Sequence, residues 1–233
     1  METPLSPPAR LGLHLAVGAA VLVGAASLFG AIAEDVVTGD RITILDVQLA
    51  QWLRAHAQPT LTAWMLVITN LHSTIAVSCY AALAALWFAH RREWRRVVTL
   101  ALCIGGGLAL NVAMKLAFHR ARPVLDDPLL TLSSYSFPSG HVVGSTILYG
   151  LLVVWVFAVT PRAGLRLGAL CVALLAIALM AFTRMYLGVH FLSDVGAAFV
   201  EGVAWLALSL SGLAELWQRT SLFPPPQRRG PAT

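Results

Sequence analysis

Six stretches of apolar residues, each long enough to cross a bilayer as a helix, constrain this chain more than any other feature. They run from 11 to 33, about 64 to 89, 97 to 118, 140 to 160, 167 to 187 and 191 to 213. A helix needs about 20 such residues to span the hydrocarbon of a membrane, and inside lipid its backbone must satisfy its own hydrogen bonds. The expected fold is therefore all-α, a polytopic membrane helix bundle of six transmembrane helices. With 58% hydrophobic and only 12% charged residues, the 233-residue chain is too apolar for an ordinary soluble domain. The expected organisation is a single transmembrane domain over 1–218, followed over 219–233 by a Pro-, Arg- and Gly-rich disordered tail. The first apolar run is longer than the core of a secretion signal and shows no evident cleavage site, so it reads as the first span.

A net charge of +5 does not point to nucleic acid, because the cations fall between apolar spans rather than on one soluble face. Cys79, Cys103 and Cys171 lie in apolar runs without CxxC spacing and read as small core hydrophobes rather than disulfide or metal residues. Six spans place both termini on one side. Residues 1 to 10, the Arg91, Arg92, Arg95, Arg96 cluster, the turn from 162 to 166 and the tail would share that side and hold ten of the sixteen basic residues. By the positive-inside rule it is cytoplasmic. On the opposite side, Ile42, Leu45, Leu49, Trp52 and Leu53 recur at helical spacing, with Asp46, Gln51 and Arg54 on other faces. This predicts a short outer amphipathic helix, either a plain connector or a roof over a lipid entrance.

Three polar clusters fall where the outer loops meet the spans, a depth at which ionisable groups are costly unless paired or facing water. Lys115 is the only lysine in a chain with fifteen arginines, and it shares the first cluster with Arg122 and Pro123. Both cations would lie on one face if the helix continued. They either snorkel to head groups or converge on an anion. His119 and Arg120, between them, are expected to face head groups. Ser139, Gly140 and His141 open the fourth span. The serine is either a plain N-cap or part of an anion site that uses the free N–H groups of the helix start, with Gly140 allowing close approach and His141 able to carry a proton. In the third cluster, Arg184 precedes His190 and Asp194, which are four residues apart. On one helical face the carboxylate would orient the ring, giving either a structural pair or a nucleophile with its orienter. Glu201 follows on the same face as a buried acid. Asn70 and His72 interrupt the second span without an assigned role. Lys115, Arg122 and Arg184 would repel a dication, so no metal is expected at His141, His190 and Asp194.

Lys115-x6-Arg122-Pro123, Pro138-Ser139-Gly140-His141 and Arg184-x5-His190-x3-Asp194 resemble, in order and spacing, the three signature motifs of the type 2 phosphatidic acid phosphatases, which share their site with vanadium haloperoxidases. The six-span layout resembles the bacterial membrane lipid phosphatase branch. One departure is Thr183 where that family usually has serine. The resemblance implies His190 as the nucleophile that forms a phosphohistidine, Asp194 as its orienter and His141 as acid and then base. Lys115, Arg122, Ser139, Gly140 and Arg184 would hold the phosphate oxygens, without a cofactor. The expected activity is metal-independent hydrolysis of a lipid phosphate or diphosphate on the extracytoplasmic side of the cell membrane, with no nucleic-acid partner. Rivals are a lipid phosphotransferase using the same pocket and a non-catalytic lipid or anion transporter; a haloperoxidase gives no reason for six spans.

Overall fold

The protein is described by a computed structural model covering residues 7–219. The chain runs through α1 (Pro7–Thr38), α2 (Arg41–Ala55), α3 (Pro59–Leu71), α4 (Thr74–His90) and α5 (Trp94–Leu100). A π-helical segment (Ala101–Gly106) then leads into α6 (Gly107–Phe118), followed by α7 (Gly140–Val159), α8 (Ala163–Tyr186) and α9 (Leu192–Arg219). Among the described residues, six helical segments are long and apolar enough to cross a membrane: Leu15–Thr38, Pro59–His90, Trp94–Phe118, Gly140–Val159, Ala163–Tyr186 and Leu192–Trp217. The expected six-span all-α bundle is what forms. The tail expected over 219–233 lies, apart from Arg219, outside the described residues.

The second span differs most from its expected outline. It begins at Pro59, which occupies the first helical turn where its missing N–H costs nothing. It then breaks at His72 and Ser73. The Ser73 hydroxyl accepts the Ala76 N–H at 3.1 Å and so restarts the chain as α4. His72 Nδ1 sits 3.1 Å from the Ile68 carbonyl and its Nε2 2.5 Å from the Tyr149 hydroxyl, so the break is braced against α7. In the third span, the wide π turn frees carbonyls that an α-helix would use. The Trp205 indole N–H on α9 reaches those of Leu102 and Cys103 at 3.2 and 2.9 Å.

The core is centred on α7, whose Val142, Val143, Ile147 and Leu151 are buried against Val77, Ile104, Met180, Ala198 and Leu206. The long α1 packs along α9. Apolar side chains such as Ile75, Leu83 and Leu175 are instead exposed on the outside of the spans, where lipid is the natural neighbour. Of the cysteines, Cys103 is buried as expected. Cys79 and Cys171 are exposed, because the faces of α4 and α8 that carry them point away from the bundle. The end of α1, all of α2, the start of α3, the end of α6, the start of α7, the end of α8 and the start of α9 gather at one end of the bundle. That end carries the three polar clusters.

The approach of α7 to α9 sets the geometry of that end. A Cβ added at Gly202 would lie 2.7 Å from both Cβ and Cγ2 of Thr146. Those atoms sit close to the backbone of α7 and cannot swing away, so the helices would have to separate. Gly202→Ala is expected to cost about 1–3 kcal/mol, seen as a lower midpoint in thermal unfolding of the detergent-solubilised protein; an unchanged midpoint would contradict this packing.

Candidate active site

The first cluster is built by a turn rather than by a continuous helix. α6 stops at Phe118, and His119 adopts a left-handed conformation with φ +49°. Lys115 and Arg122 therefore do not share a helical face. The loop from 119 to 139 folds back between them instead. Lys115 Nζ donates to the Tyr135 carbonyl at 2.6 Å, and Arg122 Nε donates to that of Ser134 at 2.7 Å. Arg122 Nη1 donates to the Val189 carbonyl at 2.6 Å and lies 3.3 Å from Nε2 of His190. The two cations remain close enough for each to feel the other's charge.

At the second cluster the hydroxyl of Ser139 does not cap α7: it makes no capping hydrogen bond, and its Oγ is buried without a partner among the described residues. Its backbone N–H instead donates to the Asp194 carbonyl at 3.2 Å, joining the start of α7 to the start of α9. The first N–H groups of α7 have no partner within the helix. At Gly140 a Cβ would come within 3.1 Å of Asn111 Oδ1 and 3.5 Å of Thr74 Oγ1, so glycine there also lets α7 settle onto α6 and α4. Asn111 also donates to the Pro138 carbonyl at 3.3 Å and to Oε2 of Glu201 at 3.1 Å. Glu201 is buried, with Oε1 unpartnered. His141 lies within the fields of Arg184, Arg122 and Lys115.

The third cluster holds the most deeply buried charges. Arg184 is 1% exposed and donates through Nη1 to Thr69 Oγ1 at 2.7 Å, while its Nε and Nη2 have no partner among the described residues. A buried guanidinium with unused donors is costly and calls for an anion. After α8, Gly188 turns the chain with φ +70°, and Val189 N–H donates to the Arg184 carbonyl at 3.2 Å. Because α9 begins at Leu192, His190 precedes the helix and does not lie on it. The pair still forms across the helix entry, with His190 Nδ1 3.4 Å from Asp194 Oδ2.

Burial pushes the His190 pKa down to about 3, against the hydrogen bond and charge of Asp194, with Arg184 and Arg122 pushing the same way as burial. The ring is therefore neutral near pH 7. With Nδ1–H directed at the carboxylate, Nε2 keeps its lone pair and faces the Arg122 N–H. A neutral imidazole with a bare, aimed nitrogen can act as a nucleophile. Among the described residues, no group of three or more His, Cys, Asp or Glu side chains is arranged to hold a metal ion.

Two residues at this site behave differently from expectation. Arg120 does not face head groups. Its side chain is 13% exposed and bridges two carboxylates, Asp194 Oδ1 at 2.6 Å and Asp46 Oδ2 at 2.8 Å. Asp46, expected on a polar outer face of α2, is 1% exposed, while Ile44, Leu45 and Trp52 of that helix are exposed. Helical spacing shows which residues of α2 share a face but not which face turns inward, and here the carboxylate is drawn inward by the donors at the start of α9. Its Oδ1 accepts the Ser193 N–H at 2.9 Å, and its Oδ2 accepts the Ser193 hydroxyl. A further ion pair, Arg54 with Asp127, ties α2 to the long loop. His119 is exposed and packs edge-on to Tyr135, with ring centroids 4.6 Å apart.

A family model, that of the PAP2 superfamily, matches residues 96–217. Phosphatidylglycerophosphatase B of Bacillus subtilis (strain 168) is 32% identical over 148 residues, which cover 63% of this chain and 72% of that protein. The fold is similar to the crystal structure of a transmembrane PAP2 type phosphatidylglycerolphosphate phosphatase from Bacillus subtilis. The TM-score is 0.73 at 24% identity, over 87% of this chain and 98% of the other. Aquifex aeolicus LpxE is similar with a TM-score of 0.56 at 23% identity, over 71% of this chain and 94% of the other.

The depressed pKa of His190 has a signed consequence for stability. An unfolded histidine takes up a proton near pH 6.5, whereas the folded ring resists it until about pH 3. The unfolded state is therefore favoured progressively as pH falls through this window. In thermal unfolding between pH 7.5 and 4.5, the wild type should lose stability more steeply than His190→Asn; parallel curves would show that the ring is not held neutral.

Proposed function

Because this chain belongs to the PAP2 superfamily and is a membrane phosphatase of that family, we propose that it hydrolyses the terminal phosphate of a lipid phosphate or diphosphate through a phosphohistidine on His190. The observation that carries this reading is the set of unused donors: Nε and Nη2 of the buried Arg184 and the buried hydroxyl of Ser139. They stand with the pair of His190 and Asp194, and phosphate is the oxyanion that can use both a cationic cradle and a nucleophile.

The non-bridging oxygens would be held by Arg184, Arg122, Lys115, the Ser139 hydroxyl and the N–H groups at Gly140, which receive charge as it spreads over the transferred phosphoryl group. Binding would draw Arg122 off Nε2 of His190 and leave that nitrogen in line with phosphorus. Nε2 then bonds to phosphorus as the bond to the leaving oxygen breaks, and His141 gives that oxygen its proton. The imidazolium so formed is balanced by Asp194 at Nδ1. In the second step His141 takes a proton from water, the hydroxide attacks phosphorus, and the bond to Nε2 breaks to release inorganic phosphate. The positive charge that magnesium supplies in many phosphoryl transfers would come here from three side chains, so no metal is required.

The lipid would enter from the membrane with its tail among the helices. The excess of cations at the opposite end of the bundle supports cytoplasmic termini and an extracytoplasmic site. Among candidate substrates, phosphatidylglycerol phosphate has support from the name of the Bacillus subtilis relative. Phosphatidic acid, polyprenyl diphosphate and lipid A phosphates share the same terminal group.

A phosphate-release assay over these four lipid classes, with the purified protein in EDTA, tests the proposal. Release from at least one class, lost by about 10³-fold or more in His190→Ala, is expected, along with inhibition by vanadate. Equal release by wild type and His190→Ala, or activity abolished by EDTA and restored by magnesium or zinc, would overturn it.

A further inference from the structure

Arg120 lies between the first-motif residues Lys115 and Arg122, and its guanidinium is engaged at both terminal nitrogens and against an aromatic ring. Nη1 donates to Asp194 Oδ1 and to Ser193 Oγ, each at 2.6 Å, and Nη2 donates to Asp46 Oδ2 at 2.8 Å. The plane of the group sits over the Phe191 ring, with 4.5 Å from Cζ to the centroid. Asp46 and Asp194 have essentially no exposed surface, and Arg120 is the cation they share. Both carboxylates also accept backbone N–H groups at the entry to α9: Ser193 on Asp46, and Phe191 on Oδ2 of Asp194 at 2.9 Å. The helix start, with its positive dipole end, is thus capped twice, once from its own chain and once from α2.

From this arrangement we infer that Arg120 and Asp46 are positioning residues for catalysis: Arg120 fixes the Asp194 carboxylate so that Oδ2 faces Nδ1 of His190, and Asp46 holds Arg120 in place from the surface helix α2. A carboxylate attached by one flexible torsion needs both oxygens engaged to keep a single orientation. Among the side chains of the described residues, Oδ1 is engaged by Arg120 alone, and Oδ2 is engaged by Phe191 N–H and His190. The planar fork of arginine suits a bridge between two carboxylates, and an ammonium cannot reproduce it. Lys115 and Arg122 also lie in the field of Asp194, but their hydrogen bonds go to loop carbonyls, to Ser134 and toward His190 rather than to the carboxylate. The inference also gives α2 a task. The helix exposes Leu45 and Trp52 on its outer side while its inner side holds Arg120, so a segment suited to the membrane surface is joined to the nucleophile through three side chains.

The inference rests on His190 as the nucleophile, and the test separates the two. Wild type, Arg120→Met, Arg120→Lys, Asp46→Asn and His190→Ala are purified in detergent, and kcat and KM are measured on a lipid phosphate that the wild type hydrolyses. Arg120→Met is expected to lower kcat by about 10–100-fold, the range for loss of a charge-assisted hydrogen bond. KM and the inhibition constant for inorganic phosphate should stay within about threefold, because the cradle of Lys115, Arg122 and Arg184 is intact. Arg120→Lys should recover only part of the loss, and Asp46→Asn should lower kcat less than Arg120→Met. Should the methionine variant not be recovered as folded protein, the lysine variant decides by the same split between kcat and KM. A kcat within about threefold of wild type, or a rise in KM with kcat retained, would overturn the positioning role while inactive His190→Ala leaves the nucleophile standing. Active His190→Ala would overturn both.

Discussion

A carboxylate with no exposed surface, Asp194 at the entry to α9, is the interaction on which the functional end of this protein depends. An unpaired ion at such a place would be prohibitively costly, so the surrounding chain is obliged to bring donors to it. It does so from several elements. The turn after α8 presents His190 and the Phe191 N–H, the loop after α6 presents Arg120, and the Ser139 N–H at the start of α7 takes the Asp194 carbonyl. Satisfying this one buried residue, at its carboxylate and at its backbone carbonyl, thereby registers α7 and α9 against the long loop, and through Asp46 against α2. The close contact of Gly202 with Thr146 lower in the same helix pair keeps that register from drifting.

Around this anion the chain gathers more cation than the anion can use. Arg184 is held at one nitrogen by Thr69, a residue near the end of α3, just before the second span breaks. The break at His72 and Ser73 ends α3 there and restarts the chain as α4. Two further donors on the same guanidinium are left over, as is the Ser139 hydroxyl. The imbalance is unfavourable without ligand and would be relieved by an entering oxyanion, which under the proposed mechanism would concentrate binding energy on the group to be transferred. A dication would meet Lys115, Arg122 and Arg184 first. The same arrangement therefore favours phosphate and disfavours the metals that many phosphoryl-transfer enzymes use.

How far the sequence exposes this arrangement differs from residue to residue. The six spans are legible because hydrocarbon thickness sets a minimum apolar length, and the three motifs because their residue types and spacings have few other uses. Spacing along an assumed helix is less dependable. Lys115 and Arg122 are separated by a left-handed turn at His119, and His190 sits ahead of α9, yet both pairings form because the loops that carry them fold back. Arg120 and Asp46 are 74 residues apart, Arg120 at an unconstrained position inside the first motif and Asp46 outside all three. Their bond depends on which side of α2 faces the bundle, and that is decided by the donors of Ser193, a tertiary fact without a periodic signature. Asn111 with Glu201 is hidden for the same reason, each being an isolated polar residue in an apolar span until the helices pack.

The central claim is a covalent bond between phosphorus and Nε2 of His190. Rapid mixing of the purified protein with a lipid carrying a radiolabelled terminal phosphate, followed by a quench in base and peptide mapping, tests it most directly. The expected result is an acid-labile, base-stable phosphoryl group on the peptide containing His190, formed within one turnover, chased by water to free phosphate and absent from His190→Ala. Steady phosphate release with no covalent label, or label on any other side chain, would contradict it.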